Sequence, residues 1–282
     1  LQDEVPPKAA ANDFLGRFRE IVSDPLNLLI DRVPMAGYVR GGKVILHNGN
    51  RVPAGGQQAY YGPFSQILVI NRGVHEPLEE FVFQEVLRAL PEAPLMIELG
   101  AYWAHYSMWF KQRRPKGMSI MVEPDTNNLE VGRANFAANG FEGEFVQAEV
   151  GLDKWELDPF VAERGLGHID ILHVDIQGAE IELIESGKAA LAAALVDYLF
   201  VSTHDQQLHQ NVVRALEAHG YRVEAQADFD GQTTSSDGLV FASSPRARSI
   251  FGKFTAPGRL DLASSSGMQK AELIAQIQAA RT

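Results

Sequence analysis

The chain has 282 residues and a formal net charge of −11, an acidity that argues against nonspecific binding to nucleic acid, whose phosphates it would repel. Cysteine is absent, which excludes disulfides, thiolate metal sites and cysteine nucleophiles. The 45% hydrophobic and 22% charged composition is that of a globular protein, and the length suits one large domain with appendages or two small domains.

No apolar run is long enough to span a bilayer, and the opening LQDEVPPKAA lacks the charged-then-apolar profile of a signal peptide. A soluble cytoplasmic protein is the expectation, with residues 1–10 disordered. Asn12 or Asp13 is placed to cap a helix running to about Ser23, with Phe14, Phe18, Ile21 and Val22 on one face. From Pro34 to Asn71 glycine is frequent, and short apolar pieces occur at Val44–Leu46 and Ile67–Ile70. HNGN at 47–50 predicts a hairpin turn, so this stretch reads as a small β-containing region. Tyr60 and Tyr61 suit either core or substrate contact. Val74 to Leu90 predicts a helix opening near Pro77, with Phe81, Val82, Val86 and Leu90 as its buried stripe and Glu76, Glu79 and Glu80 near its positive end. His75 and Glu76 just outside it suit a cap or a site.

Leu95 to Ser107, LMIELGAYWAHYS, combines a buried strand, an acid at Glu98, a turn at Gly100 and the start of a helix. That order marks either an ordinary strand-to-helix turn or a nucleotide-type cofactor site at a strand's carboxyl end. A dinucleotide fingerprint needs glycine where Tyr102 stands, and no phosphate loop is present. S-adenosylmethionine (SAM) has no phosphate, and its ammonium would be attracted by a nearby carboxylate. A helix from His105 to Arg113 is stopped by Pro115. Met118–Val122 is a second strand ending in Glu123, Pro124 and Asp125, and an acid there is placed to accept from ribose hydroxyls. Asn127–Ala138 is helix. Phe145–Ala148 is a third strand, which sets Gln147 and Glu149 either near an adenine edge or in solvent.

Leu157 to Arg164 reads as a short helix, and Ile169–Ile176 as a fourth strand ending in Asp175 beside the turn Gln177–Gly178. A carboxylate so placed faces the crevice, whereas His173 within the strand reads as a core histidine. Glu180–Ser186 is helix. Val196–Ser202 is a fifth strand ending in STHD, which brings His204 and Asp205 to the same rim as Asp175. Gln207–His219 is helix, with His209 and His219 expected at the surface. Tyr221–Glu224 and Leu239–Ala242 supply two closing strands, residues 244–267 read as linker or surface arm, and Met268–Ala280 is a last helix with Leu273, Ile274 and Ile277 as its stripe.

The alternating strand and helix order, followed by two closing strands, resembles a class I SAM-dependent methyltransferase, and within that class the FkbM-type branch. ELGAYWAHYS at 98–107, VEPD at 122–125 and HVDIQGAEIELIESG at 173–187 carry the resemblance, with support from HEPLEE at 75–80 and STHDQQLH at 202–209; it covers about Gly73 to Pro245. It implies a Rossmann-like, seven-stranded, mostly parallel sheet with helices on both faces, plus a small N-terminal α/β region. The implied division is a cap region at 1–72, a SAM-binding domain at 73–245, and a linker with a terminal helix at 246–282. Glu98, Gly100 and Tyr102 would border the methionine end with Ser107. Glu123 with Pro124 would hold the ribose, Gln147, Ala148 and Glu149 would line the adenine, and Asp175 would sit beside the methyl. The family usually has asparagine and glycine where this chain has Tyr102 and Ala104, so Tyr102 would crowd or reshape the site.

The resemblance implies methyl transfer, with O-methylation of a hydroxyl on a sugar or secondary metabolite as the leading expectation. His204 is the first candidate base, because an unperturbed imidazole titrates near neutrality, and His75 is the second. Sugar-modifying relatives imply a magnesium ion held by Asp175 and Asp205 with His204 adjacent. An N-methyltransferase, and a SAM-binding module without catalysis, are the competing readings; an NAD-dependent dehydrogenase is disfavoured by Tyr102. The terminal helix is expected to dock on its own domain or on a second subunit.

Overall fold

The computed structural model describes residues 8–10, 12–56, 58–252 and 254–279; part of the segment expected to be disordered, residues 1–7, lies outside them. The chain divides into two compact units. One comprises Leu1–Gln84, Ala225–Gly238 and Phe251–Thr282; the other comprises Glu85–Glu224 and Leu239–Ile250.

The first unit opens with α1 (Phe14–Ser23), where the Asp13 carboxylate accepts the Gly16 N–H at 2.9 Å. Phe18 and Ile21 are buried as their spacing requires, but Val22 is exposed. Strands β1 (Val39–Arg40), β2 (Lys43–Ile45) and β3 (Arg51–Pro53) form an antiparallel sheet. The predicted HNGN turn joins β2 to β3, with the Leu46 N–H donating to the Asn50 carbonyl at 2.8 Å. The apolar piece at Ile67–Ile70 lies in α2 (Gln66–Ile70). Helix α3 (Pro77–Ala89) buries Phe81, Val82 and Val86 and runs across the boundary into the second unit.

In the second unit, β4 (Leu95–Leu99), α4 (His105–Arg113), β5 (Met118–Glu123), α5 (Thr126–Ala138), β6 (Glu144–Gln147), α6 (Leu157–Arg164), β7 (Ile169–Val174), α7 (Glu180–Ser186), α8 (Lys188–Ala192), β8 (Val196–Thr203) and α9 (Gln206–Ala218) follow in turn. Then come β9 (Arg222–Ala227) and β10 (Gly238–Ser243). The result is a mixed sheet with helices on both sides, in the order β6-β5-β4-β7-β8-β10-β9. Strands β4 to β8 are parallel neighbours. Side chains alternate across the sheet, as pleating demands. Leu95, Ile97 and Leu99 join Ile120, Val122, Leu172 and Val174 in a core with Phe160, Leu183, Val212 and Leu216 of α6, α7 and α9. Glu98 and His173 are register partners on the other face, where Tyr106 of α4 packs on the His173 ring at 4.2 Å between centroids.

The segment expected to be a linker or surface arm carries β11 (Phe254–Thr255), which pairs parallel to Ala225–Gln226 of β9 as an eighth strand, and α10 (Arg259–Ser264). Its serine-rich composition hides an anchor: Arg259 is buried, and its Nε lies 2.8 Å from Glu20. Helix α11 (Gly267–Ala279) buries Ile277 in the first unit, and Leu273 and Ile274 are half-buried.

Candidate functional site

After β4 the chain goes to β5 and β6 on one side, then crosses to β7 and β8 on the other. Beside β4 the strand order therefore reverses, and the crevice at such a switch point takes ligands in open α/β sheets. Leu99 is level with Val122 and Val174, so Gly100, Glu123 and Asp175 form the next row, at the carboxyl edge. The Gly100 N–H donates to the Val122 carbonyl at 2.8 Å and the Asp175 N–H to the Leu99 carbonyl at 2.9 Å, closing that row. Gly100 has φ +75°, and a Cβ on it would lie 1.8 Å from the Asp175 carbonyl oxygen, so only glycine fits between the strand ends.

The loop after Gly100 is strained at the two positions where this chain departs from the family pattern. Tyr102 has φ 41° and Ala104 has φ 61°, both left-handed, a region that asparagine and glycine enter at least cost. The asparagine and glycine of the pattern thus answer a backbone demand. Ala104→Gly is expected to stabilise the fold by about 1 kcal/mol in urea unfolding. The Tyr102 N–H donates to Glu123 Oε2 at 3.0 Å, and Glu123 Oε1 accepts from the Asp125 N–H at 3.0 Å and Asn128 Nδ2 at 3.4 Å. A carboxylate offers about four acceptor positions, so Glu123 keeps about one, where acceptance from both ribose hydroxyls was expected.

Glu98 lies one row deeper and is turned to the protein itself. The cap position before α4 is held by Ala104, which has no side-chain acceptor, and Glu98 Oε2 takes the Ser107 N–H at 3.1 Å in its place. Burial raises the Glu98 carboxyl above its ordinary value, although His173 and Ser107 pull it down. Ser107 is fully buried in α4. The two residues expected at a methionine end are thus both buried and bonded to each other. Pro124 is exposed beyond Glu123. Gln147 is exposed, its Nε2 donating to Thr126 Oγ1 at 2.7 Å; Ala148 is half-buried, and Glu149 is exposed in an ion pair with Lys154 at 2.5 Å.

At the other side of the switch point, Asp175 Oδ1 accepts from Gln177 Nε2 at 2.8 Å. His204 Nε2 lies 3.4 Å from that same oxygen and 3.2 Å from Oε1 of Glu180, whose side chain is fully buried. Glu180 was present in the Gly-Ala-Glu signature but had no assigned role; its place five residues after Asp175, at the start of α7, was the available signal. Residues 149–223 match the model of the methyltransferase FkbM domain. That match spans 75 of the 282 residues, from just past β6 to the start of β9, and includes the Asp175–Glu180 turn and His204. No curated protein matches the chain. Similar solved structures include a precorrin-6y C5,15-methyltransferase from Geobacter metallireducens GS-15, at 17% identity over 58% of this chain and 86% of that one, with a TM-score of 0.41. Another is TrmK of M. capricolum in complex with S-adenosyl-homocysteine, at 13% identity over 68% of this chain and 74% of that one, with a TM-score of 0.42.

The trio expected to hold magnesium does not fit it. Asp205 caps α9, accepting the Leu208 N–H at 2.8 Å. Among the described residues, Asp175, His204 and Asp205 do not gather their ligand atoms within 4.8 Å of one another, and magnesium prefers oxygen to imidazole. His75, the second candidate base, is also committed elsewhere. It is buried in the first unit, with Nδ1 2.6 Å from Glu80 and Nε2 3.3 Å from Glu76. His209 is buried rather than at the surface, 3.0 Å from Thr203 Oγ1, because it shares the inner face of α9 with Val212 and Leu216.

Proposed function

We propose that this protein binds SAM along the carboxyl ends of β4, β5 and β7 and methylates a hydroxyl oxygen, on a sugar or secondary metabolite, with His204 as the base. The observation that carries the reading is the imidazole of His204, a fifth exposed, held against Asp175 and Glu180 beside the switch point. The residues fit the cofactor in part: Glu123 keeps an acceptor position for a ribose hydroxyl, and the Asp175 carboxylate, one-third exposed, offers charge at the methionine end. Gln147, Ala148 and Glu149 are the residues assigned to the adenine.

Bound SAM supplies a methyl already activated on sulfonium. The chain's own task is alignment of the hydroxyl oxygen, worth up to about 7–11 kcal/mol, and removal of its proton by His204, worth about 10²- to 10⁴-fold. As the oxygen–carbon bond forms, the carbon–sulfur bond breaks and the proton passes to the imidazole. Calorimetry with SAM, then transfer of labelled methyl to a panel of sugars, phenols and amines, tests the reading. Glu123→Ala is expected to weaken SAM binding about tenfold, one charge-assisted hydrogen bond. His204→Ala is expected to leave SAM binding intact and to lower kcat about 10²- to 10⁴-fold. SAM binding without turnover on any acceptor would mark a binding module instead, and amine acceptors alone an N-methyltransferase.

A further inference from the structure

We infer that Glu180, with Asp175, is the positioning pair that fixes His204 as its Nε2–H tautomer and so makes Nδ1 the proton-accepting atom. The inference deepens the proposed base role and rests on it. Two carboxylate oxygens lie close to one buried ring nitrogen, Asp175 Oδ1 at 3.4 Å and Glu180 Oε1 at 3.2 Å from Nε2, near enough for charge to act although neither contact has hydrogen-bond geometry. Ionised carboxylates only accept, so a lone pair on Nε2 would be repelled by both, and the proton belongs there. In the neutral ring the lone pair then lies on Nδ1.

Glu180 is placed for this and little else. Its side chain is fully buried at the first turn of α7, its Oε1 accepts the Gly178 N–H at 3.1 Å, and its Oε2 has no hydrogen-bond partner. His204 is its one ion-pair partner among the described residues. A buried carboxylate left half unsatisfied is costly unless a cation forms beside it. When His204 takes a proton from the acceptor, that cation forms against Glu180 and Asp175. Asp175 is itself held by Gln177, so the Gln-Gly-Ala-Glu turn orients both members of the pair. The logic is that of an acid orienting a histidine base.

Nitrogen-15 NMR of the uniformly labelled, cofactor-free protein reads the tautomer directly, above the pH at which His204 titrates. The expected spectrum shows His204 protonated at Nε2 and bare at Nδ1. Glu180→Gln keeps an acceptor for the Gly178 N–H but removes the charge. It is expected to populate the other tautomer and to lower kcat about 10- to 100-fold, with KM for SAM within about threefold. Glu180→Asp, which keeps the carboxylate, is expected to recover most of the rate. A wild-type Nδ1–H tautomer overturns the inference, and so does a Glu180→Gln protein with unchanged tautomer and unchanged kcat. Failure of the wild-type protein to bind SAM would instead remove the methyl-transfer reading, and the NMR result, which needs no cofactor, would still decide the tautomer.

Discussion

Gly100→Ala should unfold this protein or cost it at least about 4 kcal/mol, several times the penalty of the same change at Gly140. Both glycines have φ +75°, so alanine pays the same left-handed strain of about 1–2 kcal/mol at each. Only Gly100 is pressed by a neighbouring strand: its added Cβ would lie 1.8 Å from the Asp175 carbonyl oxygen and 2.7 Å from the carbonyl carbon, whereas nothing lies within 4 Å at Gly140. Both atoms belong to backbone, so no side chain can swing away, and β4 and β7 must part at the switch point. Urea unfolding of the two variants separates strain from collision. Equal losses at the two sites would show that the close approach is not what requires glycine at 100.

Glu80→Ala is expected to cost about 3–5 kcal/mol, the loss typical when one member of a buried ion pair is removed. Glu80 is fully buried in the first unit, with Oε2 2.9 Å from His47 and Oε1 2.6 Å from His75. Its Oε1 also accepts the backbone N–H groups of His75 at 2.8 Å and Glu76 at 3.2 Å, just before α3. Burial works to raise the Glu80 carboxyl, but His47 and His75 outweigh it and hold it well below 4.5. Burial works to lower His75, but Glu76 and Glu80 outweigh it, so the imidazole titrates above 6.5. The sign follows from linkage. The depressed acid stabilises the fold above 4.5 and loses that contribution as pH falls through its folded value; the raised imidazole stabilises it below 6.5 and loses that contribution as pH rises through its folded value. The gap between wild type and Glu80→Ala should therefore be widest between about pH 4.5 and 6.5 and narrow on either side. A gap that does not change with pH would mean that packing, not charge, holds this cluster.

Much of the sheet was legible because buried parallel strands are short, mostly apolar runs: Leu95–Leu99 and Met118–Val122 read this way, and the strand read over 169–176 ends two residues earlier, at Val174. Glu98, Glu123 and Asp175 were all expected along one rim; the register puts Glu123 and Asp175 in the row beside Gly100 and Glu98 one row behind Leu99. The direction in which each side chain turns was not legible. Glu98 and Glu123 both close strands, yet Glu98 sits one residue before its strand's end and so drops beneath α4. The partners of His47 and Arg259 were hidden because they come from distant sequence: 33 residues separate His47 from Glu80, and 239 separate Glu20 from Arg259. His209 was misjudged although its spacing to Val212 and Leu216 already placed it on the inner face of α9.

The division of the chain also sets an order of assembly. The first unit draws on three separated stretches, and its opening 84 residues leave the ribosome long before the other two. Asp24 must wait for Thr234, whose hydroxyl it accepts at 2.5 Å, and Glu20 must wait for Arg259. The second unit needs nothing after Ile250, so its strands can close while the earlier helix is still missing its mates. A nascent chain of this design can stack Phe18 on Phe64 early, but the carboxylates of Asp24 and Glu20 gain Thr234 and Arg259 only when the last stretches emerge, which makes that interval the period of greatest need for a chaperone.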